Sequence, residues 1–459
     1  MPKKAVFIFF LLAFIGAALF VFFTFPRTKD EIPKSNNQRP FPSEPGPDGA
    51  PVPETVPHPN TPTPPHGPTL RVMAWAVADE VKALRSAADA FEATTGNSAS
   101  LTIESDVAAY HTDLQQAIAS DTPPDVCLVS ARDFSGLDPA RDLADVTPAI
   151  GTASRSITAF TVEEKIKAVP DEFSVDVLFY NLDHFNRAGI GYPGRHWNWD
   201  VLEAISRALA SLKLKDASGQ PIYPLELSPD FDLWNLLSAQ AGSPVLDSSI
   251  WHLADVDGKE SQMRSLDFIH DIFREFAITA PLQKAHAPAG RLFAQQRASL
   301  LIAPSELAAA LPKFHYAFTL LPGDINRASL ARVNGWAVTS KSSQPEAARK
   351  LALFLARQPV HAGWSSAQKS TDDNSPDAIC YEALSQAVIP RIEPKTASLV
   401  QFLDQQIDLL ARNSQQTADA VYTHIQTEYL NGFAPPSVKS ASSITVGLKT
   451  PAAAQIRGP

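Results

Sequence analysis

Three carboxylates sit close together in one stretch: Asp171 and Glu172, then Asp176 inside the β-branched and aromatic run 175–180. Paired acids are what general acid–base chemistry needs, but only when a partner or nucleophile is held against them. No nucleophile elbow, phosphate loop or metal-ligand spacing accompanies them. Asp372-Asp373-Asn374 starts like a cation loop yet lacks its glycine and distal glutamate, so it reads as a solvated polar loop. Cys127 and Cys380 stand in apolar or helical contexts and read as free core thiols, with a disulfide between them left open. His184 and His270 fall on helices, where an exposed or satisfied imidazole is the default. The reading is recognition without catalysis: no enzyme, no cofactor and no metal.

What remains is recognition of a ligand, at residues that an α/β architecture would place. A strand at 70–75, a helix at 80–95, a strand at 100–103, a helix at 110–119 and a strand at 125–129 alternate. Val81, Leu84, Ala88 and Phe91 share one face of the first helix, which stops at Gly96. Strand–helix alternation predicts parallel pairing with right-handed crossovers. Ligands of open sheets sit beyond the carboxyl ends of the strands. That rule selects Trp75 and Asp79 after the first strand, and Ser130, Arg132 and Asp133 after the third.

The stretch 169–210 has its own order. A strand is followed by the polar Asn181, a short helix ending at Gly189 and a Pro193-Gly194 turn. Trp197-Asn198-Trp199-Asp200 then opens a longer helix. Further on, helices are expected at 261–276, 345–357, 399–410 and 417–430, and strands at 298–302, 316–320 and 334–339.

Bulk properties narrow the partners. The 459 residues are enough for two or three domains, and 44% hydrophobic content buries a sizeable core. A net charge of -10 argues against nucleic acid. Lys3-Lys4 precede an apolar run at 5–25. At about 1.5 Å per residue that run spans roughly 30 Å, a bilayer core, and the lysines favour a cytoplasmic N-terminus at 1–4. The bulky end of the run suits an uncleaved anchor better than a cleavage site, with a signal peptide as the alternative. Residues 26–68 are proline-rich and read as an extended tether, and 434–459 as a disordered tail.

Several motifs occur in a telling order: 117–126 (AIASDTPPDV), 179–190 (FYNLDHFNRAGI), Trp199-Asp200, 291–302, and 333–343 followed by Pro345-Glu346-Ala347-Ala348. Together they resemble the extracellular solute-binding proteins of ABC importers, in the sugar-binding, maltose-binding-protein-like branch (family 1). The resemblance covers most of 69–433. It implies a two-lobed α/β fold of the periplasmic-binding-protein type (type II), with hinge crossovers and a cleft between the lobes. By analogy the chain crosses near Val175, near Ala317 and after Arg357. Lobe one is then 69–174 plus 318–358, and lobe two 175–317 plus 359–433. Val175 and Asp176 become hinge residues. The resemblance adds Asp230, Phe231, Trp234, Ser305, Glu306 and Trp336 to the ligand-binding candidates. It implies a monomeric, membrane-anchored, extracytoplasmic receptor that delivers a sugar, polyol or related solute to ABC permease subunits. A membrane-tethered sensor or scaffold that keeps the fold without transport is the alternative, with a hydrolytic enzyme ranked behind it. The chain departs from its relatives at Ala303-Pro304-Ser305-Glu306, where many carry a Gly-x-Trp stacking platform, and it has no cysteine to accept a lipid.

Overall fold

Leu70, Val72 and Ala74 are buried together on one side of a strand, β1 (Leu70–Trp75). In the computed structural model, which describes residues 67, 69–132, 134–147, 155–253, 257–275, 278–282, 290–358, 360–367, 376–413 and 415–434, two strands flank it. These are β2 (Ala99–Glu104) and β3 (Val126–Ser130), both parallel to β1 as the alternation predicts. The crossover helices are α1 (Ala78–Thr95) and α2 (Val107–Ala119). The Glu80 carboxylate accepts from Val77 N at 2.9 Å to start α1, and Gly96 at φ 75 ends it. Asp106 starts α2 by accepting from the amides of Ala108 and Ala109.

Five longer strands follow: β4 (Ala168–Asn181), β5 (Tyr223–Glu226), β6 (Ala298–Pro304), β7 (Tyr316–Thr319) and β8 (Ser329–Val338). Among the described residues the sheet runs β2-β1-β3-β8-β4-β6-β5, with β7 also on β4. β4 is the spine. Its first half pairs antiparallel with β8 and its second half with β6 and β7. Sequence pattern marks only 175–180 as strand, because Pro170, Asp171 and Glu172 are poor strand formers. Pairing with β8 carries them. Val333 faces Phe173 and Gly335 faces Pro170, so Asp171 and Glu172 together oppose Asn334 in a bulge.

Two α/β lobes grow from the two halves of this sheet. On the β1–β3 half, α1 and α7 (Pro345–Leu355) bury Phe91, Trp336 and Leu351. The short α3 (Leu182–Ala188) starts on Asn181, whose side chain accepts from His184 N as its cap. α4 (Trp199–Ser211) starts with Trp199, whose ring stacks on Phe268 at 4.3 Å. Around the β5–β6 half lie α5 (Phe231–Gln240), α6 (Lys259–His270), α9 (Ala397–Arg412) and α10 (Ala418–Glu428). They enclose Trp234, Ile269, Leu403 and Tyr422. A helix α8 (Pro376–Ser385) follows a segment without apolar periodicity; Cys380 is buried in it and Cys127 in β3, both free. The helix expected at 261–276 ends at His270 in a wider turn, Asp271–Glu275.

Among the described residues no helix is long and apolar enough to cross a membrane. The apolar run at 5–25, nearly all of the tether, Asp133, the loop 372–374 and the tail from 435 lie outside the described residues.

Candidate functional site

β1 and β3 end at Trp75 and Ser130, and antiparallel β8 enters beside them. That brings the C-terminal edge of lobe one over the N-terminus of α5 in lobe two. Arg132, two residues past β3, places Nη1 3.0 Å from both carboxylate oxygens of Asp232 in the first turn of α5. Arg332, near the start of β8, donates from Nη1 to Asp176 Oδ1 at 2.8 Å, and its Nη2 lies 3.8 Å from Asp232. Arg132, Asp232, Arg332 and Asp176 therefore form one continuous chain of opposite charges across the junction.

More acids crowd this chain. Asp230 caps α5 by accepting from Leu233 N at 2.9 Å. Burial, then the charges of Asp232, Asp404 and Asp176, push its carboxyl up to about 7. Burial also raises Asp176, against the pull of Arg332. Glu306 is raised by burial as well, and its Oε2 is buried without a hydrogen-bonding partner. Burial works against the Arg332 charge, but Asp176, Asp232 and Glu306 outweigh it and hold the guanidinium firmly protonated. Ser305 bonds Ser174 Oγ at 3.1 Å and accepts from Val175 N at 3.3 Å, fixing the turn that carries Glu306 to β4. Pairing along β4 passes from β8 to β6 between Val175 and Asp176, the two residues the sequence marks as a hinge.

A second polar cluster lies beside the first. The half-buried Trp75 ring sits 4.2 Å from the His361 ring. His361 Nδ1 is 2.6 Å from Glu172 Oε2, and the amides of Val360 and His361 donate to the same carboxylate. Trp336 Nε1 donates to Asp171 Oδ2 at 2.9 Å. Burial and then the neighbouring Glu172 raise the Asp171 carboxyl well above the usual range. Glu172 thus pins the segment through which the chain leaves α7.

The sequence candidates separate into three groups. Trp75, Ser130, Arg132, Asp230, Ser305 and Glu306, with Asp176, gather along the junction. Asp79 is exposed and pairs with Lys82. Phe231, Trp234 and Trp336 are core residues: Trp234 and Trp336 have no exposed surface, and Trp234 Nε1 donates to Gln262 O at 3.2 Å. Their faces are spent on packing, so in this conformation they offer no stacking platform. The sequence reading does not single out Asp232, Arg332 or His361. For Arg332 a signal existed, since strand alternation puts 332 on the same face as 334 and 336.

Ser130 also lines a cavity of about 160 Å³ with His111, Leu114, Gln115, Phe134, Ile392 and Pro394. A larger one, about 470 Å³, lies around Ile118, Asp138, Arg141 and Lys341, away from these candidates. Among the described residues no His, Cys, Asp and Glu group is arranged to hold a metal. The chemistry on offer is hydrogen bonding and charge recognition.

The family described as bacterial extracellular solute-binding protein matches residues 75–361. No curated protein matches the sequence. Among solved structures, the sugar-binding protein MalE from Xanthomonas citri is 15% identical, with a TM-score of 0.66 over 83% of this chain and all (100%) of that one. A cyclic alpha-maltosyl-1,6-maltose binding protein from Arthrobacter globiformis is 16% identical, with a TM-score of 0.65 over 79% and 98% of the two chains. An ABC substrate-binding protein from Listeria monocytogenes, in complex with cycloalternan, is 17% identical, with a TM-score of 0.62 over 82% and 99%. At these identities the likeness shows the two-lobed fold.

Proposed function

Because the chain belongs to the bacterial extracellular solute-binding proteins, we propose that it is a receptor holding a sugar or related polyol between its lobes and passing it to an ABC permease. The observation that carries this reading is the convergence of Trp75, Ser130, Arg132, Asp176, Asp230, Glu306 and Arg332 where the two halves of the sheet meet. Carboxylates and guanidiniums give paired hydrogen bonds to vicinal hydroxyls, and a half-buried indole gives a ring face. The cyclic and linear maltosyl ligands of its structural relatives have that chemistry. The lobe limits, 69–174 plus 318–358 and 175–317 plus 359–433, and the anchoring of the chain through 5–25 belong to the same proposal. So do its extracytoplasmic placement and its action as a monomer.

A thermal-shift screen of the full-length chain against sugars, polyols and sugar phosphates tests it. A ligand at a hundred times its Kd stabilises the folded state by about 2.7 kcal/mol, which raises Tm measurably. The hit should weaken at least tenfold in Trp75→Ala. A broad library without a single hit overturns the receptor reading, and a hit indifferent to Trp75 overturns this site.

A further inference from the structure

We infer that Arg132, Asp232, Arg332 and Asp176 form an electrostatic latch that draws the two lobes together before any solute arrives. The inference goes beyond the receptor reading: it concerns the solute-free chain and stands or falls whichever solute the cleft takes. Three observations carry it.

Arg132 belongs to the β3 edge of lobe one and Asp232 to the first turn of α5 in lobe two, 100 residues further along the chain. Their contact is bifurcated, with the single nitrogen Nη1 at 3.0 Å from both carboxylate oxygens. It is charge-assisted, which makes it stronger than a neutral hydrogen bond. Arg132 is also held by its backbone: its carbonyl accepts from Ile392 N at 2.8 Å, and Ile392 packs on the core of lobe two. One residue of lobe one is thus tied to lobe two by side chain and main chain together.

The second arginine spreads the connection. Arg332 bonds Asp176 on the shared strand at 2.8 Å and approaches Asp232 at 3.8 Å, so Asp232 answers to two guanidiniums. The third observation is what surrounds Asp232. Asp176 and Glu306 act with Asp232 on Arg332, while Asp230 feels the charges of Asp232, Asp404 and Asp176. With Arg132 withdrawn, this acid-rich edge of lobe two loses one of its two cations. The pair therefore attracts across the gap and offsets negative charge gathered on one side of it. The side chains of Arg132 and Asp232 keep 33% and 26% of their exposure, so solvent and salt reach the contact. A latch of this kind holds weakly enough to reopen.

The test is the inter-lobe distance in the full-length chain without added solute. Spin labels go on Asp89→Cys in α1 and Ala204→Cys in α4, both exposed; the native thiols, Cys127 and Cys380, are buried. Electron–electron resonance then gives the distance distribution. The latch predicts a short distance at low salt that lengthens near about 1 M salt, where the screening length falls to roughly 3 Å. Asp232→Asn should lengthen it at all salt concentrations, and the charge swap Arg132→Asp with Asp232→Arg should restore it. Should Asp232→Asn fail to fold, Arg132→Gln and the salt series on the otherwise native chain give the same reading. A distribution that neither salt nor these substitutions move overturns the latch, as does a native chain already at the longer distance.

Discussion

At the scale of single residues, Asp230 shows how one carboxylate can serve two ends. Its side chain caps α5, and the same burial that makes it a good cap penalises its charge. With the folded-state value near 7 and the ordinary value at 3.8, the folded chain binds the proton more tightly than the unfolded one. The stability that follows is fully present below about 4 and is lost as pH rises through about 7. Asp176 and Glu306 are raised too and add the same sign. Asn caps a helix as well as Asp does. Asp230→Asn should therefore keep α5 and flatten the pH dependence between about pH 4 and 7 by on the order of 1–3 kcal/mol. Urea midpoints measured across that range check it; an unchanged slope would mean that Asp230 is ionised in the folded chain.

At the scale of elements, the bulge on β4 depends on a glycine in its partner strand. A Cβ on Gly335 would lie 2.7 Å from the Phe160 ring and 2.8 Å from the Val169 carbonyl oxygen. The backbone oxygen belongs to a paired strand and has nowhere to go. Gly335→Ala should cost about 1–3 kcal/mol by overpacking, and denaturant unfolding would show it. Gly189 makes the comparison: it ends α3 at φ 66 with nothing within 4 Å of an added Cβ, so its cost is conformational, about 1 kcal/mol. If Gly189→Ala proves the worse of the two, the bulge is not the tight point. The same bulge explains which elements were legible in the sequence. Leu70–Trp75, Val126–Ser130 and the helices with regular apolar faces declare themselves by period. The first half of β4 does not, because Pro170, Asp171 and Glu172 are placed by β8 and by Trp336, Val360 and His361. For the candidate site, the edge rule selects Trp75, Ser130 and Arg132, which need only the strand ends. It could not find that Trp234 faces inward, since a Trp in a helix buried at all but Asp232 has no periodicity to betray its side. Nor could it find Asp232, whose partner lies 100 residues away.

At the scale of the whole molecule, the question is whether two lobes behave as one. Chains well beyond 150 residues often unfold in stages, and separate cores favour that. Here each lobe has apolar packing of its own, but one buried cluster runs from Met73 and Cys127 through Phe173 and Phe179 to Phe293 and Leu301, and the sheet is continuous as well. β4 gives its first half to β8 in lobe one and its second half to β6 and β7 in lobe two, so melting either lobe strips one half of a strand the other needs. β8 adds a second tie, running from Ser329, which bonds the Asp176 carbonyl at 2.8 Å, down to Trp336 and Val338 inside lobe one. Such a joint bends without parting, which suits a closure that a solute biases by binding one arrangement better than the other. It also predicts that the folded unit melts in one transition. Tryptophan fluorescence draws on Trp75 and Trp336 in one lobe and on Trp197, Trp199, Trp234 and Trp251 in the other, while far-UV circular dichroism averages both. The two signals should share a midpoint in urea, and Trp336→Phe should move both together. Separated midpoints would show that the shared strand transmits motion without coupling stability.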